Sequence, residues 1–268
     1  MSDFFDVHDG SAHNTMAHKM KSFFRDVTCD LLLAVKPSSR KIAAASKNMA
    51  RQKILVVGVE VPARGHALSR ITRQLAASRH DVVVSTVVMQ PKGKFENVDD
   101  AIRVAQTALD DVDWLFIIDD DVGLPKNFTD RYIAAASLSN LVVSQPAHRF
   151  LSYATYQLTR RRLGNLVRQS GFVESGPLTV IRKEAFSALL PFPASRWAYG
   201  IDVLWADICR RHGWRMGIVD AVSIRHLKPV GGSYSMDEAI TEGRSLLEQS
   251  NVRLNRSDLF IAETELIK

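Results

Sequence analysis

Trp114-Leu115-Phe116-Ile117-Ile118-Asp119-Asp120-Asp121 is the stretch that decides the fold. Five consecutive apolar residues, rich in aromatic and β-branched types, read as a strand buried on both faces, the signature of a sheet covered by helices on each side. The run stops abruptly at three carboxylates. Like charges so close together raise one another's pKa, so an acidic triplet ending a buried strand is costly unless positive charge meets it. In open α/β sheets the crevice beyond the carboxyl ends of the strands is the ligand site. Carboxylate oxygens favour Mg²⁺ or Mn²⁺, and Mg²⁺ commonly sits between one or two carboxylates and substrate phosphates. The stretch therefore predicts a metal–diphosphate site; the competing reading is a solvated acidic loop or a helix cap at Asp119–Asp121.

Working outward, strand and helix patterns alternate. Lys53–Val59 and Asp81–Met89 read as further buried strands, with helical spacing between them over Ala67–Ser78. A helix is expected over Asp99–Leu109, another over Asp130–Ser139, and a strand at Leu141–Ser144. Together they predict an α/β fold: an open, mixed, mostly parallel Rossmann-type sheet flanked by helices. Beyond residue 150 the pattern is less regular. Tyr153–Arg168 reads as a basic amphipathic helix, Phe172–Ile181 as a strand, and Lys183–Leu190 as a short helix closed by Pro191 and Pro193. A helix over Asp202–His212 stops at Gly213, a strand over Arg215–Arg225 leads to His226, and Met236–Gln249 is an acidic helix. The expected organisation is a helical appendage over 1–52, a catalytic body over 53–234 and a helical tail over 235–268.

Two later residues join the acidic triplet. Asp202 follows the aromatic-rich Arg196-Trp197-Ala198-Tyr199-Gly200-Ile201, and a carboxylate beside apolar walls suits a general base because burial raises its pKa. An Asp at a helix start is also an ordinary cap. His226 ends a strand, flanked by Arg225 and Lys228 with Gly231-Gly232 beyond; a lone histidine is more often structural than a ligand.

The 268 residues carry 35 Lys+Arg and 29 Asp+Glu, a formal net charge of +6, with 46% hydrophobic residues, enough to build a sizeable core. The positive excess sits in the body, where residues 148–183 hold seven basic side chains against Glu174 alone. That stretch reads either as a solvated helix face or as a surface for an anion, with Arg160-Arg161-Arg162 as its centre. Two cysteines, Cys29 and Cys209, exclude a disulfide scaffold and a cysteine-rich zinc site. No GxxxxGK[ST] phosphate cradle occurs, and no nucleic-acid module is recognisable. The His8, His13 and His18 spacing fits no helical metal face. Asp3, Asp6 and Asp9 stand where a secretory leader is basic, so a cytoplasmic protein is expected. Two amphipathic stretches near 16–35 and 40–51 are expected to dock, as helices within 16–51, against the body or a second subunit, with peripheral contact at the inner face of a membrane as the alternative.

Asn97–Pro125 resembles the helix–strand–DxD segment of GT-A-type glycosyltransferases, particularly family 2. Gly171–Phe186, ending Arg182-Lys183-Glu184-Ala185-Phe186, looks like the strand and helix that follow in that family; Tyr199-Gly200-Ile201-Asp202, Gly213-Trp214-Arg215 and Val219-Asp220-Ala221, ending at His226, are similar to its later helix and histidine. A closer resemblance, to an uncharacterised plant and bacterial family of GT-A-like proteins, rests on Ser144-Gln145-Pro146-Ala147, Leu158-Thr159-Arg160-Arg161-Arg162 and Gly171-Phe172-Val173-Glu174 with Tyr199–Asp202. The resemblance spans about Lys53 to Tyr234.

It implies a metal-dependent glycosyltransferase that moves a sugar from a nucleotide-diphosphate donor to an acceptor hydroxyl with inversion. Asp119, Asp121 and His226 would be metal ligands for Mn²⁺ or Mg²⁺, and Glu60, Arg64, Asp119 and Asp120 would face the donor nucleotide. Asp202 would be the catalytic base, and Glu174 would contact acceptor or donor sugar. Ile201 departs from family 2, where a glutamate precedes the base. The implied partners are a nucleotide sugar and a glycan or lipid-linked acceptor, with no nucleic acid; a homodimer is a further expectation. Two other readings stay open: a sugar-nucleotidyltransferase, and a non-catalytic nucleotide-sugar-binding protein.

Overall fold

The apolar runs become strands because their alternate residues are claimed by opposite helix layers. In β1 (Lys53–Glu60), Leu55 and Val57 belong to one hydrophobic cluster while Ile54 and Val56 belong to another across the sheet. The later Trp114–Ile118 strand divides likewise, with Leu115 and Ile117 facing one layer and Trp114, Phe116 and Ile118 the other. At these two strands both faces of the sheet are thus dry, as a run without polar alternation requires. Asp81–Val88, expected to be buried, is instead the outermost strand and is mostly exposed or half-buried.

The computed structural model describes residues 15–228, 235–259 and 264–267. Asp3, Asp6, Asp9, His8, His13, Gly231, Gly232 and Tyr234 lie outside those residues. Two helices open the chain, α1 (Met16–Val35) and α2 (Pro37–Asn48). After β1 come α3 (Ala67–Ala76), β2 (Asp81–Val88), α4 (Lys94–Arg103), β3 (Trp114–Ile118), β4 (Val122–Gly123), α5 (Phe128–Leu138) and β5 (Val143–His148). Then follow β6 (Val167–Gln169), β7 (Leu178–Arg182), α6 (Phe186–Leu189), α7 (Ile201–His212), β8 (Met216–His226), α8 (Met236–Gln249), α9 (Arg256–Leu259) and β9 (Thr264–Glu265).

Among the described residues the strands form one nine-stranded sheet in the order β2-β1-β3-β7-β5-β8-β6-β9, with β4 on β8. β1 pairs in parallel with β2 and β3, and β5 with β8; β7 runs antiparallel between β3 and β5, and β6 antiparallel between β8 and β9. Most strands therefore share one direction, and the architecture is the mixed, mostly parallel α/β sheet expected. β3, β5 and β8 all deliver their carboxyl ends to the same edge. One face carries α4, α6 and α7; the other carries α3 and α5, with α2 laid against α5.

Three expected elements differ. The helix expected over 99–109 starts and ends earlier, because Glu96 accepts the Gly93 N–H at 3.0 Å and Asn97 binds the carbonyls of Gln90, Lys92 and Gly93. The Phe172–Ile181 strand shrinks to β7, since 171–177 is a loop turned by a cis Gly176–Pro177 bond.

The largest correction is Tyr153–Arg168, which is not an amphipathic helix. Its arginines turn inward and bind main chain: Arg160 donates to the carbonyls of Arg149, Phe150 and Ser152, and Arg168 to those of Leu158 and Arg160. Arg168 also meets Asp220 at 2.8 Å, both fully buried. Arg161, 2% exposed, pairs with Asp26 and Asp30 of α1. The basic run is mostly internal wiring rather than a solvated face.

The terminal segments are tied into this scaffold. α8 offers Glu242, which accepts from the Ser195 hydroxyl and the N–H groups of Arg196 and Trp197, holding the loop that leads into α7. Gly200 precedes α7 at φ +83, and a side chain there would meet the backbone of Gly243 at about 3 Å, so both conformation and space ask for glycine. Among the described residues no helix is long and apolar enough to cross a membrane.

Candidate active site

Each carboxylate of the triplet meets a different basic side chain. β3 ends at Ile118, and the chain turns at once into β4, which pairs with the end of β8 so that Val122 lies opposite His226. Asp119 stays at the rim and is bound by Lys94 at 2.7 Å. Asp120, nearly buried, is gripped by Arg64 from the turn after β1. Asp121, also nearly buried, has an oxygen 3.3 Å from His226 Nε2. Burial alone would raise the Asp121 carboxyl, but the hydrogen bond and charge of His226, with help from Arg64 and Lys94, hold it below the usual carboxylate value.

Across the same edge stand Glu174 and Asp202. Glu174 lies in the loop before β7, its N–H donating to Gln145 Oε1 at 2.5 Å and its carboxylate accepting from the Thr159 hydroxyl. Burial raises its pKa despite the Thr159 and Thr155 hydrogen bonds and the nearby His226. Asp202, in the first turn of α7 and partly exposed, is pushed up to about 7, by desolvation first and by the charge of Glu174 next. A carboxylate tuned to the neighbourhood of neutrality is matched to proton transfer.

His148 joins this group unannounced by the sequence reading. It ends β5 as His226 ends the neighbouring parallel strand β8, and the two rings lie 6.1 Å apart. It is fully buried, 3.8 Å from Glu174, and burial with the charges of His226 and Arg160 drives its pKa down to about 3, so it stays neutral. Its position directly after Ser144-Gln145-Pro146-Ala147, at a strand's carboxyl end, was the available signal. Lys94 was missed for a different reason: it belongs to a helix start that the reading placed five residues too late.

Asp119, Asp120, Asp121, Arg64, Glu174, Asp202 and His226 thus converge on the carboxyl edge of the sheet. Glu60 ends β1, two residues before the short turn carrying Arg64, and the backbone N–H of Met89 binds its carbonyl. Arg160 and Arg161 do not reach the acidic group as an anion clamp, being committed to main chain and α1.

The donor set was tested for a divalent cation. Among the described residues no group of three or more His, Cys, Asp or Glu side chains is gathered tightly enough to hold one, because Asp119 turns to Lys94. Yet Asp120 Oδ2 and His226 Nδ1 are buried without a hydrogen-bond partner, and Asp121 Oδ1 has only His226 Nε2 at 3.3 Å. Buried polar atoms are ordinarily satisfied, so under-satisfied carboxylate oxygens beside an imidazole suit a hard or borderline divalent ion.

No family model and no curated protein matches the chain. Its fold is similar to that in the crystal structure of S. aureus TarS 1–349, with a TM-score of 0.50 at 11% identity over 76% of this chain and 67% of that one. GalNAc-T7, crystallised with UDP, GalNAc and Mn²⁺, aligns at a TM-score of 0.45 and 11% identity over 75% of this chain. The chain spans about half the length of GalNAc-T7 (50%). The architecture is GT-A-like, and at such identities the likeness is one of fold alone.

Proposed function

We propose that this protein is a glycosyltransferase that moves a sugar from a nucleoside-diphosphate donor to an acceptor hydroxyl, with inversion at the anomeric carbon. The observation that carries the reading is the meeting, at one sheet edge, of an acidic triplet matched by Arg64, Lys94 and His226 with a separate carboxylate raised to about 7.

Asp121 and His226 would hold Mn²⁺ or Mg²⁺, which neutralises the charge that develops on a departing diphosphate. Lys94 and Arg64 each trade an aspartate partner for phosphate oxygens as the donor enters, forked and point donors serving complementary geometries. Asp119 and Asp120 are then freed towards ribose and cation. Glu60 stands at the nucleobase end of this cleft. Asp202 takes the acceptor proton: the hydroxyl oxygen attacks the anomeric carbon, the bond to the diphosphate oxygen breaks, and its electron pair leaves with the diphosphate. Single displacement of this kind inverts the centre. Glu174, held by Thr159 and Gln145 behind Asp202, orients a sugar hydroxyl and keeps the base's pKa raised.

The test is a panel of UDP- and GDP-sugars with and without Mn²⁺, read as donor hydrolysis and as nucleotide binding by calorimetry. Metal-dependent binding of nucleoside diphosphate with release of free sugar is expected. Absence of both binding and hydrolysis across the panel overturns the proposal, and release of pyrophosphate from a nucleoside triphosphate would assign nucleotidyl transfer instead.

A further inference from the structure

α1 is docked by the face carrying Ser22, Asp26, Cys29 and Leu33. Asp26, 1% exposed, accepts the N–H groups of Phe150 and Leu151 at 3.0 Å each. Arg161 reaches Asp30 at 2.9 Å and Arg149 reaches it at 2.6 Å. The opposite side carries Met16, Met20, Phe24, Val27, Leu31 and Val35, whose spacing places them within about 120° of the helix circumference. They are left in water, with Phe24 60%, Leu31 63% and Val35 73% exposed. A continuous apolar stripe along a twenty-residue helix exceeds the scattered exposure normal on a soluble surface.

The stripe has one basic edge, formed by Lys21 and Arg25; along the other edge Lys19 is flanked by Asp26, which is buried, and by the half-exposed Asp30, which is paired with Arg149 and Arg161. Beside the Arg25 edge opens a recess of about 440 Å³ lined by Arg25, Thr28, Phe150, Arg160, Arg162 and Leu163, among others. Arg25 lies 3.8 Å over the Phe150 ring, and Leu163 at the rim is 59% exposed. Arg160 and Arg161 are turned to carbonyls and to α1, so the recess presents the exposed Arg25 guanidinium next to apolar surface, the chemistry of a phosphate attached to hydrocarbon.

We infer that α1 and this recess form a docking surface for an anionic phospholipid bilayer, with α1 lying in the headgroup plane and a lipid phosphate entering the arginine recess. A second copy of the chain fits less well. A twofold contact would bring this same basic-edged face against itself, with no free acid of α1 to meet it. Docking would also orient the candidate active site. α1 grips the 150–151 backbone, and the next residue, Ser152, accepts the His226 N–H at 2.8 Å, so on the proposed glycosyl-transfer reading the bilayer would be linked to the His226 side of the acidic centre.

The experiment is flotation of the full chain with vesicles of phosphatidylcholine alone or mixed with phosphatidylglycerol, which needs no sugar chemistry. The protein is expected to float with the anionic vesicles, less so as salt rises, and hardly with neutral ones. Phe24→Glu with Leu31→Glu should abolish flotation, and Lys21→Glu with Arg25→Glu should weaken it roughly tenfold on anionic vesicles only. All four side chains are exposed, so thermal unfolding of the variants should match the parent. Failure of the parent to float with anionic vesicles overturns the inference, as does flotation of the Phe24→Glu, Leu31→Glu variant like the parent. A dimer split by those substitutions without lipid binding would give the face to a second copy.

Discussion

Asp202 sits where stability and chemistry pull in opposite directions. Its carboxyl titrates near 7 when folded against an ordinary value of 3.8, so between those pH values the folded state holds a proton that the unfolded chain has released. Stability therefore falls as pH rises from about 4 to 7 and levels off above, while the deprotonated base that transfer requires accumulates over the same range. Asp202→Asn should flatten that slope and raise the melting temperature at pH 8, yet reduce turnover by about 10²–10⁴-fold; thermal scans across pH and donor-transfer assays check both. At the acidic triplet, His226→Ala removes the group that holds Asp121 below its usual value. Calorimetric affinity for Mn²⁺ with UDP should drop by about 10–100-fold if His226 supplies metal affinity, with little change in metal-free nucleotide binding. The triplet itself was legible because its signal is local, three acids closing an apolar run. The identities of their cations were not, since Lys94 and Arg64 stand 25 and 56 residues away in sequence.

At the scale of elements, the strands and most helices were readable from periodicity, and the failure at Tyr153–Arg168 shows what periodicity omits. Arginines spaced like a polar helix face are here donors to carbonyls that no ladder satisfies, a use that depends on α1, β8 and the 149–152 backbone being present. Arg168→Met should consequently cost about 3–5 kcal/mol by leaving Asp220 buried without its guanidinium partner, even though Asp220 still accepts the Arg162 N–H. Urea unfolding measures this. At the loop before α7, Glu242→Ala withdraws the acceptor of the Ser195, Arg196 and Trp197 donors and should cost about 1–3 kcal/mol. Because that loop leads into α7, transfer should fall with it while Mn²⁺–UDP binding at the β3 edge is kept, a split that kcat and nucleotide affinity resolve.

For the molecule as a whole, the two ends of the chain meet. Lys36, between α1 and α2, binds the Gly164 carbonyl at 2.8 Å and pairs with Glu265 of β9, while Leu266 donates to the Val167 carbonyl. A chain ending at residue 255 loses β9 and this clasp, and we expect it to unfold in a single transition at lower temperature, monitored at several wavelengths, rather than to shed a detachable tail. Sequence by itself determined the alternation of buried strands and helices, the acidic stop at Asp119–Asp121, the helix starting beside Asp202 and the apolar character of 16–35, because each follows from periodicity, charge or capping within a dozen residues. Tertiary structure alone decided which cation meets which aspartate, that His148 stands beside His226 and Glu174, that the arginine run turns inward, and that α1 docks by its acids and leaves its apolar side outward. Those outcomes depend on which segments the sheet order brings together, and no local pattern encodes a neighbour a hundred residues away.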